Sequence, residues 1–139
     1  MATQELNPGN LLKTSGSYWE TCTLHAGVKL GVFTLLGNQQ LSSKEVTKKL
    51  DGDERGVGML LNALVAMDLL EKKDGLYSNT PVSKTFLSKD SSRYIGHIIL
   101  HHHHLMDSWI RLDVAVQSGK PVRKRASHHE DERRESFLM

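Results

Sequence analysis

The 139 residues of this chain suffice for one compact domain and are too few for two well-developed ones. With 18 basic and 16 acidic residues the formal net charge is +2, which is not typical of a protein that binds nucleic acid or anionic lipid. The single cysteine, Cys22, excludes an intrachain disulfide and a cysteine-rich zinc site, and no apolar run is long enough to span a membrane.

The first residues predict neither a leader peptide nor an ordered element. MATQELNPGN lacks the basic region followed by an apolar region that marks a signal peptide, so we expect a cytoplasmic protein. Residues 1–16 are largely polar and contain Pro8-Gly9, a pair that is typical of loops. We therefore expect a flexible N-terminal arm.

A helix is predicted over residues 17–36, where apolar side chains recur at spacings of three and four. Its apolar face comprises Trp19, Cys22, Ala26, Leu30 and Phe33. Gly37 with the asparagine after it predicts the C-terminal end of the helix. Gly27 and Gly31 lie four residues apart, which suits the close approach of another helix but also simple tolerance at a cost in helix propensity.

Two helices and a hairpin follow in the order of a winged helix-turn-helix. LSSKEVTKKL contains a capping box, in which Ser42 is followed three residues later by Glu45. The break DGD separates it from the apolar helix predicted in ERGVGMLLNALVAMDLLE, and Asp74-Gly75 is a strong hairpin signal. A short helix with Pro81 at its first position comes next. This order predicts a mainly α fold, a winged helix-turn-helix with a two-stranded β-wing.

A long C-terminal helix is predicted from Ile95, and Gly119 with Pro121 ends it. Its apolar stripe comprises Ile95, Ile98, Ile99, His102, Leu105, Met106, Trp109, Leu112 and Val116. With this helix, residues 17–119 are expected to form one winged-helix domain. Residues 120–139 predict a charged linker and the start of a further helix.

Four consecutive histidines, His101–His104, lie inside this helix. Successive helical residues point about 100° apart, so the four imidazoles cannot act together as one site. His97 and His101, at i and i+4, could share a metal ion, but no carboxylate lies on their face, and the pattern favours a polar face without metal. His102 falls on the apolar stripe, where we expect it to be buried. Burial would disfavour its charged form and make the helix sensitive to acid.

The winged helix-turn-helix raises the alternative of a DNA-binding transcriptional regulator. In such proteins the second helix enters the major groove, where basic and amide side chains read base edges and hold phosphates. Here that helix, residues 53–70, carries one basic residue, Arg55. Its carboxylates are those of Asp53, Glu54 and Asp68. Phosphate would repel such a surface, so the sequence disfavours nucleic acid as a partner.

Several phrases of the sequence together resemble one known family. They are LHAGVKLGVFTLL, the capped LSSKEVTKKL and MLLNALVAMDLLEKKDGLYSNTPVSKTFL, followed by the long helix. In this order they resemble the N-terminal dimerisation domain of class I S-adenosylmethionine-dependent O-methyltransferases. That family includes plant small-molecule O-methyltransferases, acetylserotonin O-methyltransferase and bacterial relatives. The resemblance covers residues 17–139, and no single phrase would suffice alone.

The resemblance implies a role in association. In that family the winged-helix unit no longer binds DNA, intertwines with its copy in a homodimer and helps to enclose the pocket for a small-molecule acceptor. Apolar helices suit this role, because an obligate dimer interface resembles a domain core cut in half. The residues expected at the dimer interface or lining the acceptor pocket are Trp19, Cys22, Ala26, Leu30, His102 and Trp109.

The catalytic half of that family has no counterpart in the sequence. There, a Rossmann-like domain binds S-adenosyl-L-methionine at a glycine-rich loop after its first strand. Here Gly52, Gly56 and Gly58 stand at a helix start with no strand before them. We therefore expect no catalytic, cofactor-binding or metal-binding residue in this chain. The cofactor, the acceptor and the catalytic domain are expected to belong to a longer parent enzyme.

Overall fold

The computed structural model describes residues 5–122 of the protein. Its helices are α1 (Gly9–Ser15), α2 (Tyr18–Lys29), α3 (Val32–Leu36), α4 (Ser43–Leu50), α5 (Glu54–Ala66), α6 (Pro81–Phe86), α7 (Gly96–Trp109) and α8 (Leu112–Ser118). Its strands are β1 (Leu41–Ser42), β2 (Leu70–Lys73) and β3 (Leu76–Asn79). The strands form one antiparallel sheet in the order β1-β3-β2. The mainly α, winged-helix fold predicted from the sequence is confirmed.

The sheet has three strands where the sequence predicted a two-stranded wing. The hairpin is as predicted: β2 and β3 join through Asp74 and Gly75, whose φ values of 53° and 76° are left-handed. The additional strand, β1, pairs Leu41 with Tyr77 of β3. Because β1 has only two residues and runs directly into α4, it offers no alternating pattern from which to predict a strand.

The helix-turn-helix follows its predicted signals. Ser42 accepts a hydrogen bond from the backbone N–H of Glu45 at 3.1 Å, and the Glu45 carboxylate accepts one from the N–H of Ser42 at 3.2 Å. α5 ends at Ala66 and does not run on to residue 70 as expected. The reason is Asp68, which adopts a left-handed conformation, so that Leu70 begins β2.

A left-handed glycine divides the helix that was predicted over residues 17–36. Gly31 has a φ of 73°, ends α2 and is the N-cap of α3. The fully buried residues of α3 are Val32, Phe33 and Leu36. The buried residues of α2 are His25, Gly27 and Val28. The predicted apolar face treated both helices as one: it was right for Phe33 of α3 and wrong for Trp19, Cys22 and Leu30, which are exposed.

Both ends of the described chain depart from the sequence prediction. Gly9–Ser15, within the expected flexible arm, is helix α1, and all its residues are exposed. The long C-terminal helix is broken at Ile110 and Arg111 into α7 and α8. Leu112 and Val116 keep the apolar period across this break, so the pattern could not reveal it. From residue 123 onward, the predicted linker and helix start lie outside the described residues.

The hydrophobic core is centred on α3 and α5, which pack against α4, α2 and the sheet. Its buried residues are Val28, Val32, Phe33, Leu36, Leu41, Val46, Val57, Leu61, Leu64, Leu70, Tyr77, Leu87 and Ile99. Asn79 of β3 joins the sheet to α3, because its side-chain amide donates to the backbone carbonyls of Phe33 and Gly37, both at 2.9 Å.

Within residues 5–122, no helix is both long and apolar enough to cross a membrane.

The substitution Gly27→Ala should destabilise the protein. The added Cβ would lie 3.0 Å from Cε2 of Phe33 and 3.3 Å from Cδ1 of Leu64, two fully buried side chains. Overpacking costs about 1–3 kcal/mol, against which alanine gains about 1 kcal/mol over glycine in a helix. We therefore expect a net decrease in the free energy of unfolding, measured by urea denaturation.

Gly58 of α5 provides the matched control. Nothing lies within 4 Å of the Cβ that Gly58→Ala would add, so the gain in helix propensity is unopposed. This substitution should raise the free energy of unfolding by about 0.5–1 kcal/mol. If both alanines shifted stability in the same direction, the close approach of α2 to the core at Gly27 would not explain the result.

Candidate interaction surface and the buried histidine

The residues predicted for a dimer interface or acceptor pocket lie mostly on the surface of the chain. Those that are exposed are Trp19, Cys22, Leu30, His102 and Trp109. Ala26 is half-buried. Each tryptophan is 66% exposed, the highest exposed fraction among the large apolar side chains of its helix. The location of these six residues in an interface or pocket stays a prediction.

Large exposed apolar side chains are concentrated in the terminal helices. In α1, α2, α7 and α8 and at their ends they are Leu11, Leu12, Tyr18, Trp19, Leu30, Ile95, Ile98, Trp109, Ile110, Leu112, Val114 and Val116. This set is termed the terminal apolar surface. The winged-helix elements between α4 and α6 contribute Met59 and Val82. Large exposed apolar areas mark sites of interaction, so a partner surface is to be sought on the terminal helices.

The structure overturns the expected orientation of the histidine run. His102 is exposed, not buried. The half-buried histidines of α7 are His97, His101, His103 and His104. α7 buries Gly96 and Ile99, and one turn after Ile99 the ring of His103 contacts α2. The inner side of α7 thus runs through Ile99, which belongs to the predicted stripe, and His103, which takes the place predicted for His102.

The histidine that is buried is His25 of α2, which the sequence prediction did not place in the core. It is 3% exposed, and its ring meets the ring of His103 edge-on with the centroids 5.3 Å apart. Burial lowers the pKa of His25, and the positive charges that His103 and His102 can carry lower it further. Leu24 and Val28, four residues apart, indicate an apolar side of α2 that includes His25. The sequence prediction instead followed the larger apolar residues in line with Trp19.

The described part of the chain contains no evident metal or cofactor site. Between residues 5 and 122, no group of three or more His, Cys, Asp or Glu side chains is placed to hold a metal ion. An open surface groove lies beside α6, and polar residues such as Asn79, Lys84 and Asp90 line it. Pockets for small organic ligands are predominantly apolar, so this groove is a poor fit for an organic cofactor.

The second helix of the helix-turn-helix is poorly equipped for DNA. Arg55 is the basic residue of α5. Asn62, the amide that could read a base edge, instead accepts hydrogen bonds from Tyr77 Oη at 2.6 Å and from Lys72 Nζ at 3.3 Å. Lys72 also lies over the Tyr77 ring, 5.1 Å from its centroid. Asn62 of α5 and Lys72 of the wing therefore bind each other and Tyr77, and neither points freely toward a DNA groove.

Comparison with known proteins matches the chain to one family. The profile of the O-methyltransferase dimerisation domain matches residues 12–89. The chain belongs to this family. The dimerisation domain is 33% identical over 115 residues to the N,N-dimethyltransferase OxyT of Streptomyces rimosus, covering 80% of this chain and 33% of OxyT. It is 31% identical over 108 residues to the S-adenosyl-L-methionine-dependent methyl transferase PigF of a Serratia species, covering 77% of this chain and 31% of PigF.

A solved structure shares the fold of the dimerisation domain. It is that of an O-methyltransferase family protein from Burkholderia thailandensis, which matches with a TM-score of 0.82 at 29% sequence identity. The match covers 96% of this chain and 41% of the Burkholderia protein. The dimerisation domain thus spans between about a third and two-fifths of the length of the relatives it matches.

Duplex DNA should bind the dimerisation domain weakly and without sequence preference. α5 supplies a single cation, Arg55, so a complex would release few counterions from the phosphates. Gel shifts near physiological salt should show no retention at nanomolar protein, and Arg55→Ala should leave that result unchanged. Sequence-selective retention that Arg55→Ala abolishes would instead establish a DNA-binding regulator.

Proposed function

We propose that this chain is the dimerisation domain of an S-adenosyl-L-methionine-dependent O-methyltransferase that acts on a small-molecule acceptor. The observation that carries the proposal is the family match over residues 12–89. Two relatives named as methyltransferases, one of them S-adenosyl-L-methionine-dependent, support methyl transfer and the cofactor, and the family match supports oxygen as the methylated atom. In this role the chain holds two copies of the parent enzyme together and helps to enclose the acceptor. Binding of the cofactor and transfer of the methyl group belong to the remainder of the parent enzyme.

The coding sequence after Met139 tests the enzymatic part of this proposal. A Rossmann-like methyltransferase domain would begin with a strand, a glycine-rich loop and a helix. We expect that succession downstream. A downstream sequence without it would contradict the assignment to a methyltransferase, while the family and fold of residues 12–89 would stand.

The terminal apolar surface supports the homodimer. Ile110, between α7 and α8, and Val116 of α8 are 73% and 75% exposed, and Trp109 at the end of α7 is 66% exposed. Removing apolar surface from water contributes about 25 cal/mol per Å², and one aromatic side chain buries about 150–250 Å². A few such side chains therefore supply several kcal/mol toward association. We propose Trp19 and Trp109 as the anchors, with Cys22, Ala26, Leu30 and His102 at the interface or at the edge of the acceptor pocket.

Sedimentation equilibrium at micromolar protein should give twice the 15.6 kDa mass of the chain. The substitution Trp109→Lys should weaken the dimer by at least about tenfold, because a truncated or charged group at a central aromatic anchor costs about 2 kcal/mol or more. Trp109 is exposed within one chain, so the monomer should keep its fold by circular dichroism. A wild-type chain that sediments as a monomer would contradict the proposed homodimer.

Met59→Lys is the matched control for this experiment. Met59 is 62% exposed, close to the exposure of Trp109, but it lies on α5, outside the terminal apolar surface. The same change of an apolar side chain to lysine should therefore leave dimerisation unaltered. Equal weakening by Met59→Lys and Trp109→Lys would place the interface elsewhere than proposed.

The isolated chain should neither bind S-adenosyl-L-methionine nor transfer methyl groups. The glycines that the sequence offers, Gly52, Gly56 and Gly58, lie at the start of α5 without a preceding strand of the kind that positions a dinucleotide loop. Calorimetric titration with the cofactor or its demethylated product should show no saturable heat. Saturable binding in the low micromolar range would move the cofactor site into this chain.

A further inference from the structure

His25 is a buried base for which the proposed function has no use. Its side chain is 3% exposed, and its Nδ1 is buried without a hydrogen-bond partner within the described residues. A buried polar atom without a partner costs free energy, so its presence calls for a physical explanation. The imidazole of His103 on α7 meets the His25 ring edge-on, at 5.3 Å between centroids.

Within residues 5–122, the groups that act on His25 disfavour a positive charge. α2 packs against α7, α5 and α3. From α7, the titratable groups that act on His25 are His103 and His102, both of which become cations on protonation. α3 and α5 approach α2 at Gly27 through Phe33 and Leu64, which carry no charge. A proton on His25 would therefore be both desolvated and repelled.

α7 depends on a small number of buried residues for its attachment. Its buried residues are Gly96 and Ile99, and α8, which follows it, has none. α3, by contrast, buries three side chains completely. Elements with few buried apolar contacts open first, at a free energy below that of global unfolding. Within one chain, α7 is therefore held by few buried residues, and we expect a single buried charge at its contact with α2 to shift its attachment.

We infer that His25 and His103 form a proton-sensitive latch, in which neutral imidazoles hold α7 against α2 and protonation releases α7 while the core of the winged helix stays folded. The inference stands apart from the proposed function, since it concerns a contact within one chain. It assigns to the pair a regulatory role, control of the position of α7 by pH.

The direction of the response follows from the linkage between protonation and opening. A solvated histidine binds its proton near pH 6.5, whereas burial and the two neighbouring imidazoles keep the pKa of the latched His25 lower. Below a pH of about 6.5, the open state therefore takes up a proton that the latched state does not. The latch is closed above this pH and weakens as the pH falls toward the folded-state pKa of His25.

Hydrogen exchange of the full chain tests the latch. The rates are compared at about pH 7.5 and about pH 5.5, on both sides of the ordinary histidine pKa, after correction for the intrinsic exchange rates. The protection of amides in α7 should fall relative to that in α5, approaching about tenfold per pH unit for one proton. In His25→Leu the pH-dependent loss should vanish. In His103→Gln it should shrink, because one of the repelling imidazoles is gone.

His97→Gln is the matched control, since His97 lies on the same helix but its ring neighbours Tyr94 rather than His25. It should keep the pH-dependent loss in α7. If α7 keeps its protection at low pH in the wild type, or if α5 loses protection equally, the latch is wrong. Loss of the effect in His97→Gln with retention in His103→Gln would likewise overturn it, even if His25→Leu fails to fold.

Discussion

The left-handed turn at Gly31 is the constraint on which the arrangement of the N-terminal half depends. Its φ of 73° is one that side chains with a Cβ rarely adopt, and it ends α2 at the point where α3 begins. No atom lies within 4 Å of a Cβ built there, so backbone conformation and not space requires the glycine. With α3 separated from α2, Phe33 can fill the core, and the side of α2 that bears Trp19 remains in solvent.

Gly27 and Asn79 fix the positions of α2 and of the sheet relative to α3. At Gly27, α2 comes so close to Phe33 and Leu64 that a Cβ would lie tighter than ordinary van der Waals contact. Asn79 joins the sheet to α3, since its amide donates to the backbone carbonyls of Phe33, in the first turn of the helix, and of Gly37, its C-cap residue. The close approach at Gly27 and the two hydrogen bonds of Asn79 thus fix how α2 and the sheet pack around α3. Apolar side chains such as Trp19 lie outside this core and are exposed.

Local signals predicted the winged helix well, because each acts within a few residues. The capping box at Ser42 and the left-handed pair Asp74-Gly75 were both identified from the sequence and are both present. The breaks at Gly31 and Ile110 were missed, since apolar periodicity continues across each of them. The phase of a helix is harder still: whether His25 or Trp19 faces inward depends on which neighbour α2 meets. Besides α3, these neighbours are α5 and α7, both far away in sequence, so exposure of the predicted interface residues could not be derived from spacing alone.

The order of the sheet has a consequence for how copies of the chain meet. β2 is an outer strand, and the side of it that does not pair with β3 offers free backbone groups to any other strand. Three consecutive charged residues, Glu71, Lys72 and Lys73, are exposed along it. On the far side, β1 is only two residues long. Strand addition, the usual route to fibrous aggregates, is thereby discouraged at both borders of the sheet, which leaves the helices as the surface through which ordered association can occur.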